Sequence, residues 1–78
     1  MRRVKLVSQE GQFALTEDEE GRQFLEVLCG GFAMYEVEMQ LERDEISKYL
    51  AQGESFLLSL AGKIRRKSGE LGGRVREK

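Results

Sequence analysis

The chain has 78 residues, of which 40% are hydrophobic and 35% charged, with a net charge of −1, one cysteine and no histidine. This length allows one small domain, a single cysteine excludes a disulfide within the chain, and the missing histidine excludes a Cys/His zinc site. No apolar run is long enough for a secretion signal or a membrane span, so we expect a cytoplasmic protein that does not bind membranes.

The charges are unevenly distributed along the chain. Residues 10–54 carry twelve acidic and three basic side chains, a balance of −9. Residues 63–78 carry seven basic and two acidic side chains, a balance of +5. This pattern predicts an acidic body with basic ends.

Two hairpins are predicted in the first half. Residues 4–6 and 13–16 alternate between apolar and polar side chains, and Gly11 lies between them in a segment suited to a turn. Residues 22–29 and 32–41 flank Gly30-Gly31, a dipeptide suited to short hairpin turns. The glycine pair permits loops of two or three residues. Two strand registers, which differ by one residue, are therefore possible for the second hairpin.

The second arm of that hairpin carries the clearest period of two. The odd-numbered positions Tyr35, Val37, Met39 and Leu41 alternate with polar, mostly acidic residues. We therefore expect the odd-numbered side to face a core and the even-numbered side to face water.

The second half is predicted to be helical. Asp44 is a candidate N-cap of a first helix that Gly53 closes, and Ser55 is a candidate N-cap of a second helix with an apolar stripe. A single long helix bent at Gly53 is the alternative. Residues 68–78 are rich in glycine and charge, so they are predicted to form a flexible basic tail behind a domain of residues 1–67. The predicted fold class is α+β: an antiparallel β-meander of three to four strands, followed by two C-terminal helices packed on one face.

The residues needed for common enzyme chemistry are scarce. Histidine is absent, and Cys29 adjoins a glycine turn with no imidazole to activate it. The many carboxylates lie on predicted solvent faces, whereas a catalytic acid must be desolvated to shift its pKa. We predict no catalytic, metal-binding or cofactor-binding residues, no cofactor and no enzymatic activity.

One feature favours a binding function. Whichever register the second hairpin adopts, an apolar cluster remains on the sheet face away from the helices, beside acidic residues. The candidate interface residues are Phe24, Leu28, Phe32, Met34, Glu36 and Glu38. The predicted function is a small protein-interaction module, either a homodimer or an acidic partner-binding protein of the immunity, antitoxin-like or adaptor kind.

The alternative is a nucleic-acid-associated protein. Its contacts would come from the basic end of the second helix and the tail, namely Arg65, Arg66, Lys67, Arg74 and Arg76. The acidic body opposes the long-range attraction on which such binding depends, so this alternative ranks second.

Overall fold

A computed structural model of the chain describes residues 2–30 and 34–77. Five antiparallel strands form one open sheet in the order β1-β2-β3-β4-β5. The strands are β1 (Arg3–Ser8), β2 (Phe13–Glu17), β3 (Gln23–Cys29), β4 (Tyr35–Gln40) and β5 (Val75–Glu77). Helices α1 (Arg43–Gln52) and α2 (Glu54–Lys67) and a 3₁₀ helix (Ser68–Arg74) connect β4 to β5. The predicted α+β fold, a meander followed by two helices, is confirmed.

The core lies between one face of the sheet and α2. Every second residue of β2, β3 and β4 points into it, as the period of a strand requires. The strand side chains of the core are Phe13, Leu15, Leu25, Val27, Cys29, Val37 and Met39, and α2 contributes Leu57, Leu60, Ala61 and Ile64. Because Val27 pairs with Val37, Leu25 and Cys29 also face the helices, and this decides between the two registers that the sequence left open.

The loop of the second hairpin is longer than predicted. Cys29 pairs with Tyr35, so five residues separate the two strands. Gly30 has a φ of 94°, in the region that favours glycine, while Gly31 and Phe32 lie outside the described residues. The second arm was predicted to begin at residue 32. It begins at Tyr35, whose side chain is 47% exposed, so the period of two extends beyond the part of the arm that the core buries.

The helix starts differ from those predicted. Glu42, not Asp44, is the N-cap of α1, and its N–H donates to Glu45 Oε1 over 2.7 Å. Helix α2 begins at Glu54, and the Ser55 hydroxyl donates back to the Gln52 carbonyl over 3.0 Å. The predicted end at Gly53 is correct, because its N–H donates to the Tyr49 carbonyl over 2.7 Å and the α1 helix stops there.

Residues 68–78 were predicted to form a flexible tail, and the structure describes regular elements in this segment as far as Glu77. Its first part is the 3₁₀ helix, and Val75–Glu77 pair with β4. Leu71 and Val75 of this segment pack against the core, but two isolated apolar residues among glycines produce no period that the sequence could reveal.

The outer edge strand β1 is irregular. Val4 pairs with Thr16 and Leu6 pairs with Leu15, which leaves Lys5 as an extra residue at a bulge. Consequently Leu6 faces the core, whereas Val4 and Val7 face the opposite side of the sheet. Within the described residues, no helix has the length and apolar character needed to span a membrane.

Gly53 is a position where only glycine fits. Its φ of 77° and ψ of −154° lie in a region that residues with a Cβ strongly disfavour. We expect Gly53→Ala to lower the free energy of unfolding by about 1–3 kcal/mol in urea denaturation. Gly73→Ala is the matched control, since a Cβ there also meets no atom within 4 Å and its φ is not positive. An equal loss in both variants would contradict the assignment.

Candidate functional site

The face of the sheet turned away from the helices is the candidate site. We call it the open face, since no described helix covers it. Its side chains, given by the strand register, are Val4, Val7, Ala14, Thr16, Phe24, Glu26, Leu28, Glu36, Glu38, Gln40 and Arg76. The face divides into an apolar part near β1 and a charged part over β3 and β4.

The apolar part forms a shallow groove of about 360 Å³. We call it the Val7 groove, after a residue that is 61% exposed on its β1 side. Ala14 and Leu28 contribute to its apolar lining, and Glu26 and Glu36 also line it. Its charged lining residues are both glutamates, and Glu26 is ion-paired with Arg2, the residue before β1. Val4, 59% exposed, extends the apolar surface along β1.

The charged part holds the guanidinium of Arg2, the residue before β1. Its two Nη atoms donate to the two carboxylate oxygens of Glu38 over 2.9 and 2.8 Å, and Nη1 also donates to Glu26 Oε2 over 3.2 Å. The guanidinium carbon lies 3.7 Å from the centre of the Phe24 ring, a cation–π contact. A two-pronged carboxylate and an aromatic face are the partners that suit a planar guanidinium best. We call Phe24, Glu26 and Glu38 together the guanidinium site.

The sheet itself positions this site. Glu26 and Glu38 are direct cross-strand neighbours, so their side chains emerge together on the open face. The Thr16 hydroxyl donates to Glu26 Oε2 over 2.8 Å and orients that carboxylate from β2. Two like charges directly opposite each other destabilise a sheet. Here Arg2 contacts both carboxylates, and Arg76 lies directly opposite Glu38 on β5.

The pKa values of this pair follow from the contact. The hydrogen bond from Arg2 lowers the pKa of Glu38 below its usual value, although partial burial acts in the opposite direction. The hydrogen bond to Glu38 correspondingly raises the pKa of Arg2. Glu38 is therefore ionised at neutral pH and unsuited to act as a general acid.

The structure brings together four of the six predicted interface residues. Phe24, Leu28, Glu36 and Glu38 all lie on the open face. Phe24 is only 6% exposed because Arg2 lies over it, so it does not contribute to the exposed apolar surface. Met34 is 58% exposed in the loop before β4, and Phe32 lies outside the described residues.

The candidate nucleic-acid contacts are dispersed. Arg65 donates to three backbone carbonyls, from Nε to that of Leu28 over 3.0 Å and from Nη2 to those of Gly11 and Gln12. It thereby joins the end of α2 to the β1–β2 turn and to the end of β3.

Arg74 is engaged at the opposite end of the β3–β4 pair. It donates to the Gln40 carbonyl over 2.9 Å and to Glu45 Oε1 over 2.6 Å. Arg76 lies on β5 opposite Glu38. Arg66 is exposed on α2, and the Lys67 side chain is not among those described. These residues do not form one continuous basic surface.

The remaining chemistry of the described residues is limited. Cys29 is buried, and burial raises the pKa of its thiol, which lowers the thiolate fraction available for reaction. Among the described side chains no group of three or more Cys, Asp or Glu residues is placed to hold a metal ion.

Arg2 was not predicted as a site residue. An arginine outside any periodic segment carries no pattern that links it to a distant sheet face. The available signal was indirect: two glutamates placed opposite each other by the second hairpin require a nearby cation.

Comparisons with known proteins identify no relative. The sequence matches no protein-family model, and no curated protein or solved structure is significantly similar to it.

The lowered pKa of Glu38 predicts acid sensitivity. A carboxyl group with a lowered folded-state pKa contributes stability that is present above its unfolded value of about 4.3 and is lost as the pH falls through the folded-state pKa. Glu38→Gln should lose about 1–2 kcal/mol of unfolding free energy at pH 7 and show a smaller further loss on acidification to about pH 3. Urea denaturation at both pH values measures this. Glu10→Gln, in the exposed β1–β2 turn, is the control. The prediction would be contradicted if the unfolding free energy of Glu38→Gln fell as steeply on acidification as that of wild type.

Arg65 and its neighbour Arg66 should differ in their contribution to stability. Arg65→Ala removes the donor to the three carbonyls, so we expect a loss of about 1–2 kcal/mol of unfolding free energy. Arg66→Ala removes the same charge from an exposed position and should stay within about 0.5 kcal/mol of wild type. Thermal or urea denaturation of both variants checks this, and equal effects would show that Arg65 acts only through its charge.

Proposed function

We propose that this chain is a non-enzymatic protein-interaction module that binds a partner protein on the open face of its sheet. One observation carries the proposal: the Val7 groove is an exposed apolar surface on a sheet face that no described helix covers. Contiguous apolar surface on a small domain is typical of an interaction site.

The lining of the groove favours a partner segment that is apolar and basic. Val7, Ala14 and Leu28 offer apolar contact, while the charged residues of the lining are both glutamates. An apolar side chain in the groove and a lysine or arginine beside it would match both properties.

A second copy of the chain fits this surface less well. In a two-fold symmetric contact, each copy presents the same patch to the other. Glu26 and Glu36 of one groove would then lie close to the same residues of the other copy, whereas a basic partner segment would not place like charges together. The proposal therefore favours a different protein over the homodimer.

The chemistry of the described residues supports a non-enzymatic role. The sequence has no histidine, the thiol of Cys29 is buried, and Glu38 is ionised in a contact with Arg2. The nucleic-acid alternative receives less support, because Arg65 and Arg74 are engaged within the chain at opposite ends of the sheet.

The proposal predicts that one substitution in the groove abolishes selective peptide binding. A randomised peptide library is selected on wild type and counter-selected on Val7→Asp. We expect enriched peptides that combine apolar and basic residues, and at least ~10-fold weaker binding of these peptides to Val7→Asp, because an aspartate carboxylate would be buried against apolar groups. Titration calorimetry measures the affinities.

Leu50→Asp is the matched control. Leu50 is 77% exposed on α1, in the helical layer on the other side of the sheet, so the variant should bind the same peptides as wild type. Absence of any peptide that discriminates wild type from Val7→Asp would contradict the proposal. A wild-type dimer that Val7→Asp dissociates in sedimentation analysis would show that the occupant is a second copy instead.

A further inference from the structure

The guanidinium site combines a rigid receptor with a ligand from outside the sheet. Phe24, Glu26 and Glu38 lie on adjacent paired strands, and Thr16 orients Glu26 independently of Arg2. Arg2 precedes the first residue of β1 and has no place in the ladder of strand pairs. The site therefore keeps its arrangement when the guanidinium leaves, because strand pairing and the Thr16 contact remain.

An emptied site would hold two neighbouring carboxylates, with Arg76 directly opposite Glu38 on β5. Glu26 and Glu38 would lie directly opposite each other, and the Phe24 ring would lose the group that covers it. Like charges in this position and an uncovered aromatic ring both favour rebinding of a guanidinium. A lysine would suit the site less well, because its ammonium is a point charge without the planar fork that matches two carboxylate oxygens.

The guanidinium site is continuous with the Val7 groove. Val7 pairs with Ala14, Ala14 with Glu26, Glu26 with Glu38 and Glu38 with Arg76, so these five residues form one row across the sheet. With strands about 4.8 Å apart, Ala14 and Glu38 are separated by roughly 10 Å. A segment that crosses the sheet along this row would meet apolar side chains first and the carboxylate pair next.

From this arrangement we infer that the guanidinium site recognises an arginine of the partner protein and that Arg2 occupies it within the chain until the partner displaces it. Assigning the arginine to a partner protein rests on the proposed function, whereas the guanidinium specificity of the site does not. Arg2 then acts as an internal competitor. A tethered ligand has an effective concentration in the millimolar range, so only a partner that also fills the groove would displace it readily.

The test uses the full chain and a defined probe, Nα-acetyl-arginine amide. In Arg2→Ala, the probe should bind saturably and shift the backbone amide NMR signals of Phe24, Glu26 and Glu38. Wild type should bind it at least ~10-fold more weakly, because Arg2 competes. Nα-acetyl-lysine amide should bind Arg2→Ala several-fold more weakly than the arginine probe, and Arg2→Ala/Glu38→Gln should lose the binding.

Three results would overturn the inference: no saturable binding to folded Arg2→Ala, equal binding by wild type and Arg2→Ala, or equal binding of the lysine probe. If Arg2→Ala does not fold, the inference is tested on the wild-type protein by NMR. A high concentration of the arginine probe should move the Arg2 Nε–H signal toward its position in a free arginine, and an unmoved signal would refute displacement. The peptide selection on Val7→Asp is a separate measurement, so failure of the partner-binding proposal and failure of the guanidinium specificity can be told apart.

Discussion

The packing of α2 against one face of the sheet determines the environment of every strand residue. Leu57 and Ile64 of α2 bury the odd-numbered side chains of β3, and Leu25 and Val27 have no exposed surface. The alternate side chains of the same strand point to the other side, where no described helix packs. A strand with one buried face has a single acceptable register, because a slip of one residue would exchange the two faces.

The composition of the open face follows from that constraint. With no helix to cover them, Glu26 and Glu38 can remain charged, but their direct opposition requires a cation. Arg2 contacts both carboxylates, Arg76 lies directly opposite Glu38, and Arg2 at the same time covers the Phe24 ring. The apolar surface left on this face is therefore limited to the part near Val7, and this is where the proposed partner contact lies.

The sequence predicted the features that depend on local periodicity. The alternation from Tyr35 to Leu41 indicated the buried side of β4, and the spacing of Leu57, Leu60 and Ile64 indicated the buried side of α2. It did not predict β5, the contacts of Arg65 or the position of Arg2. Each of these depends on residues far apart in the chain that meet only after folding, and charged side chains carry no period that reveals their partners. Half of the candidate site was thus accessible to prediction: the face itself, but not the arginine that lies on it.

The bulge at Lys5 affects the tendency of edge strand β1 to pair with strands of other molecules at high protein concentration. An edge strand normally presents an even series of backbone donors and acceptors, to which a neighbouring molecule can add a strand of its own. In β1 this series is interrupted between Val4 and Leu6, beside which Arg3 and Lys5 both lie within ion-pair distance of Glu17. This interruption disfavours the growth of a regular intermolecular ladder from the side on which Val4 and Val7 are exposed.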